Sequence, residues 1–148
     1  MRKLVFIFLI ILSNFCFSQE NMLLKSSDEI KRYVIENYEI TNKEPIVQRS
    51  GSKSSHIYIT DNGIKLSFHI ENDKCYFQKI AYPNVKYGED LIVKLGEMAR
   101  AHEKFSRKST DNEYVWIEHV GNNSFEWTVT ILSNGSTLVI IKNEFYLK

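Results

Sequence analysis

Cysteine is scarce in this chain and an excess of charge of either sign is missing. The two cysteines, Cys16 and Cys75, are far apart and form no Cys-x-x-Cys pair, so no thiol metal site or dithiol redox motif can be read from them. Lys and Arg number 19 against 18 Asp and Glu, a balance that argues against nucleic acid or an anionic membrane as the main partner. None of the six glycines stands in a phosphate-cradling loop or a dinucleotide turn, and there is no Gly-x-Ser-x-Gly elbow. His102-Glu103 opens a zinc-protease pattern, but Ser106 occupies the position where the second histidine is required. Neither Asp61-Asn62-Gly63 nor Asp111-Asn112-Glu113 continues into a calcium loop. These absences leave no readable catalytic site, no cofactor and no complete metal site, so a binding protein is expected rather than an enzyme.

Long apolar runs are also missing, with one informative exception at the start. Met1-Arg2-Lys3 is basic, Leu4 to Leu12 is uninterrupted apolar sequence, and Cys16 and Ser18 are small residues two apart. This is the layout of a signal peptide cleaved after Ser18, and the run falls short of the ~20 residues a spanning helix needs. The expected product is an exported protein, periplasmic or extracellular, with no stable membrane insertion once the leader is gone. A lipid anchor on Cys16 is the weaker expectation, because Asn14 and Phe15 replace the small residues that should precede it. The Phe-rich leader resembles those of exported proteins of Gram-negative bacteria, a resemblance that covers the leader alone. Removing 18 of 148 residues leaves 130, enough for one α+β domain over 19–148, and takes out two cations and no acid, so a charge of +1 becomes −1. Cys75 is then the one remaining cysteine, expected as a small buried apolar residue.

Patterning fills the mature region. Ser26-Ser27-Asp28-Glu29 has the form of a capping box, followed by Ile30, Tyr33, Val34 and Tyr38 at helical spacing, which predicts a helix from about Ser27 to Glu39. A second helix over Glu89–Phe105 would turn Leu91, Ile92, Leu95, Met98, Ala99, His102 and Phe105 inward. Lys104, Arg107 and Lys108 suit the negative end of its dipole. Thr41–Ser55, polar and carrying Pro45 and Gly51, reads as a mobile loop.

Between and after the helices lie alternating runs broken by turn dipeptides. Taking Asn62-Gly63 as a two-residue hairpin loop pairs Ile59 with Leu66 and Ile57 with Phe68 on one face, and Tyr58 with Ser67 and His56 with His69 on the other. Asn72-Asp73 closes a second hairpin that pairs Glu71 with Lys74, puts Tyr76 and Gln78 outward and leaves Lys79 pointing inward, a conflict that weakens this register. Asn134-Gly135 closes a third, with Ile131 opposite Leu138 and Val129 opposite Ile140, after a strand over Tyr114–Val120. The order αβββαβββ follows, with a hint of internal duplication. An antiparallel sheet of about six strands would have two helices covering one face and leaving the other open.

Candidate binding residues are those the registers place on the open face: His56, Tyr58, His69, Tyr76, Gln78 and Trp116. Tyrosine and tryptophan join large contact area to a hydrogen-bonding tip, as protein-recognition surfaces do. The partner expected is another protein, a peptide or a second copy of the chain, as for an inhibitor, an immunity-type protein or a subunit of a periplasmic assembly. Two alternatives stand beside it. His56 and His69, as cross-strand neighbours, would supply half of a zinc site for a small metal-dependent hydrolase, and a space between helices and sheet would carry a small apolar ligand.

Overall fold

The computed structural model describes residues 21–101, 105–108 and 114–143, without the side chains of 105 and 108. The predicted leader, His102 to Lys104 and Asp111 to Glu113 lie outside the described residues. Helix α1 spans Ser27–Asn37 and begins where the capping box predicts. Ser26 Oγ accepts from Glu29 N at 3.3 Å, and Glu29 Oε2 accepts from Ser26 N at 2.8 Å. These two bonds satisfy amides that the first turn leaves without helical partners. Helix α2 spans Lys86–Ala101, three residues earlier than its sequence pattern suggests, and buries Leu91 and Leu95. The chain beyond it is a strand, so Phe105 and Arg107 do not extend the helix.

Eight strands form one antiparallel sheet: β1 Ile46–Ser50, β2 Lys53–Ile59, β3 Lys65–Glu71, β4 Lys74–Tyr82, β5 Phe105–Lys108, β6 Tyr114–Val120, β7 Asn123–Ile131 and β8 Thr137–Asn143. Their spatial order is β1-β2-β3-β4-β8-β7-β6-β5. The chain is therefore αββββ twice, each half a meander, joined by pairing Phe77–Tyr82 of β4 with Thr137–Lys142 of β8. The predicted six strands and αβββαβββ order each miss one strand per half. In β1 all five residues are exposed, so no apolar alternation exists to betray a strand, and Thr41–Ser55 passes for a loop.

Both Gly-closed hairpins differ from their predicted register by one residue. In the first, Gly63 N donates to Thr60 O at 2.9 Å and Thr60 N to Ile64 O at 2.9 Å, with Gly63 at φ +82°. In the other, Gly135 N donates to Leu132 O at 3.0 Å and Leu132 N to Ser136 O at 2.9 Å, with Gly135 at φ +78°. Each is a three-residue loop with glycine in the left-handed position, not the two-residue loop that Asn-Gly suggests. Tyr58 therefore lies opposite Leu66, His56 opposite Phe68 and Ser55 opposite His69. Thr130 lies opposite Leu138 and Trp127 opposite Ile141. A one-residue change moves a whole strand's side chains to the other face.

The third hairpin keeps its predicted start, Glu71 opposite Lys74, and then resolves the conflict over Lys79 with a bulge. Cys75 lies opposite Ile70, Phe77 opposite His69, and Tyr76 is the extra residue. The bulge turns Lys79 outward and carries Gln78, Ile80 and Tyr82 into the interior.

The core occupies one side of the sheet. Ile30 and Val34 from α1 and Leu91 and Leu95 from α2 share it with Tyr58, Leu66, Phe68, Ile80, Trp116, Trp127, Val129, Val139 and Ile141. Cys75 is buried there too, and its thiol is pushed up to about 12 by burial, as expected of an inert apolar residue. A segment with no sequence signal closes this layer. Met22 N donates to Gln78 Oε1 at 2.9 Å, Leu24 N to Cys75 O at 2.7 Å, and Asn21 Nδ2 to Glu118 Oε2 at 3.0 Å. Residues 21–25 thus bridge β4 of one half and β6 of the other while burying Met22 and Leu23. Among the described residues no helix is long and apolar enough to cross a membrane.

Three substitutions test this packing. The hydroxyl of Tyr58 is buried with no hydrogen-bond partner among the described residues, and burial pushes it up to about 12. Tyr58→Phe should therefore leave stability unchanged or raise it by about 1 kcal/mol, whereas Phe68→Ala should cost about 3–5 kcal/mol in denaturant unfolding. A Cβ on Gly88 would lie 2.5 Å from Thr137 Oγ1. Gly88→Ala should thus force α2 away from β8 and lower stability by about 1–3 kcal/mol.

Candidate functional site

The face away from the helices carries the other parity of every strand. On β3 these residues are Lys65, Ser67, His69 and, opposite Lys53 at the strand's end, Glu71. Lys65, Ser67 and His69 are flanked by Ser55 and Ile57 of β2 and by Lys79 and Ala81 of β4, and together with Gln48 of β1 these residues line a hollow of about 420 Å³. An adjoining hollow of about 360 Å³ shares Gln48, Ser55 and His69 and adds Arg49, Ser50, Lys53, Ser54 and Tyr76. In the other half the open face carries Thr128, Thr130, Leu138 and Ile140, and there Lys142 Nζ pairs with Glu126 Oε1 at 2.7 Å.

His69 is the best-held side chain of the hollow. Its Nδ1 lies 2.9 Å from Ser55 Oγ, and its ring meets Phe77 edge to face at 5.0 Å and Tyr76 at 6.3 Å. Burial and then the positive charge of Lys79 lower its pKa, so the imidazole is neutral at pH 7. Tyr76, left by the bulge beside His69, also lies under the Lys53 ammonium, 5.5 Å from the ring centre. Lys65 and Lys79 are exposed and make no ion pair among the described residues.

Of the six predicted binding residues, the structure puts His69 and Tyr76 together on the open face. Tyr58 and Trp116 sit beneath the helices, 0% and 2% exposed, because their strands present the opposite parity. Gln78 is turned inward by the bulge and held by Met22 N. His56, opposite Phe68, faces the helix side, so His56 and His69 occupy opposite faces and cannot share an ion. Among the described residues no group of three or more His, Cys, Asp or Glu could hold a metal. The predicted hairpin puts Lys65 on this face without singling it out, whereas sequence reasoning misses Ser55 and Gln48, left in the Thr41–Ser55 loop, and Lys79, turned inward. Lys79 alone carries a signal, since its conflict with the simple hairpin register points to the bulge.

Ser55 and His69 are a hydroxyl and an imidazole at hydrogen-bond distance, the start of a nucleophile-and-base pair. Among the described residues no carboxylate lines the hollow to orient the ring. Comparison of the chain with protein-family models, with curated proteins and with solved structures finds no match.

The histidines give the fold a pH dependence. His56 is lowered by burial and by Arg49, against a smaller opposing effect of Asp73, and His69 by burial and Lys79. A histidine whose folded pKa is depressed binds its proton more readily when unfolded, so stability is full above the unfolded value near 6.5 and falls as pH drops through the folded one. Chemical denaturation between pH 7.5 and 5 should show this loss, and His69→Gln should flatten it. Asp73 and Glu29, lowered by hydrogen bonds to Ser27 and Ser26, contribute a separate loss only at more acid pH.

Proposed function

We propose that this is a small exported binding protein, without catalysis of its own, which holds another protein or a peptide along the open face of its sheet. The observation that carries the proposal is that the helices cover one face alone, while the other carries the hollow around His69. Hydrogen-bonding tips lie there beside apolar groups, as in recognition sites. Such a face would serve an inhibitor, an immunity-type protein or a subunit of a periplasmic assembly. Export rests on the leader: a basic start, nine apolar residues and small residues at 16 and 18.

The mature protein should begin at Gln19, which mass spectrometry of the exported chain reads directly; a chain retaining residues 1–18 in the membrane would contradict export. A partner captured from the native compartment by the wild type should be lost by Ala81→Arg and Thr128→Arg, both on the open face. It should be kept by Glu97→Arg on the exposed side of α2. Retention by the open-face variants would place the interface elsewhere.

A further inference from the structure

The hollow and its neighbour share Gln48, Ser55 and His69 and so form one groove across β4, β3, β2 and β1. Three cations of the open-face parity line this groove, Lys65, Lys79 and Lys53, and among the described residues no Asp or Glu does; Arg49 borders it but pairs with Ser54, opposite Ile70, and so has the helix-side parity. The chain as a whole is nearly neutral, so this is a local concentration of charge rather than a generally basic surface. Elsewhere on the same face Lys142 is neutralised by Glu126 at 2.7 Å, and at the groove's end Lys53 has only a loose pairing with Glu71 at 3.9 Å. Lys65 and Lys79 have no acidic partner among the described residues.

We propose that this groove binds an extended acidic segment of a partner protein, with its carboxylates received by Lys65 and Lys79. The proposal rests on the open-face reading above and supplies the chemistry of the partner. Lys65 lies opposite Ala81 and Lys79 opposite Ser67, which makes the lysines diagonal neighbours on adjacent strands. Such positions are roughly 7 Å apart. Alternate side chains of an extended chain repeat at about the same interval, ~6.7 Å, so acids at every second position would meet successive lysines. Ser55, Ser67 and Gln48 offer hydroxyls and an amide to the segment's main chain, and Ile57 and Ala81 give an apolar floor. Inorganic phosphate fits less well. Among the described residues the main hollow is lined by no arginine fork, and its lining residues sit on paired strands rather than in a turn or at a helix start.

The test uses the full mature protein and a labelled ten-residue peptide alternating Glu and Ser, with a Gln-for-Glu peptide, single-stranded DNA and inorganic phosphate as comparisons, read by anisotropy. The Glu peptide should bind more tightly than the Gln peptide and weaken as salt is raised. Lys65→Glu combined with Lys79→Glu should lower its affinity by about tenfold or more, whereas Lys43→Glu with Lys86→Glu should not. Both groove lysines are exposed, so an unchanged unfolding midpoint confirms that the variant folds. Equal binding of the Gln peptide, equal binding of DNA, displacement by millimolar phosphate, or full binding by the groove variant would each overturn the proposal. If the Glu peptide fails while Ala81→Arg and Thr128→Arg still release a captured partner, the acidic-segment proposal falls and the open-face reading stands. If those variants also retain the partner, both fall.

Discussion

A strand side chain belongs to one face of a sheet or the other by the parity of its position, so the closing geometry of two hairpins decides what each face of this protein is made of. In both, glycine takes the left-handed position after a type I turn, and the loop is one residue longer than the Asn-Gly dipeptide suggests. That residue sends Tyr58, Val139 and Ile141 beneath the helices and Ile57, Leu138 and Ile140 to the open side. The bulge at Tyr76 makes the third parity decision, exchanging Lys79 for Gln78 in the interior. Register thus determines core composition and site chemistry together.

The pairing of β4 with β8 turns two meanders into one sheet and lets a single core run beneath both. Its inward residues, Gln78, Ile80 and Tyr82 opposite Ile141, Val139 and Thr137, are all buried. Gln78 is a polar group that burial would penalise without a partner. Met22 N supplies one from the segment before α1, and Asn21 in turn reaches Glu118, which also accepts from Trp127 Nε1 at 2.9 Å. Residues 21–25 are therefore part of the sheet's fabric, and the proposed cleavage after Ser18 would leave Gln19 and Glu20 ahead of them.

The sequence makes legible whatever rests on local chemistry. Ser26 and Glu29 announce α1, Leu91 and Leu95 mark the buried stripe of α2, and Asn72-Asp73 sets Glu71 opposite Lys74. What stays hidden is decided by tertiary context. Strand β1 has no buried side chain to write a period, and the two-residue and three-residue forms of an Asn-Gly hairpin differ by one position that both patterns tolerate. Val and Ile populate both sides of β8, so apolar alternation could not choose between the registers. The candidate site suffers most, since three of its six predicted members, Tyr58, Gln78 and Trp116, are core residues and His56 faces the helix side. The open face itself persists, with lysines, hydroxyls and His69 in place of the expected aromatics.

Helices seal one face of this sheet, and the strand parities that put aromatic side chains beneath them can be read from the two tryptophans, Trp116 and Trp127, which are 2% and 4% exposed on the sealed side. Acrylamide quenching of their fluorescence in the native protein should be far weaker than in the unfolded chain, with blue-shifted emission. Native emission and quenching indistinguishable from those of the unfolded chain would put these strands in the opposite parity and overturn the architecture.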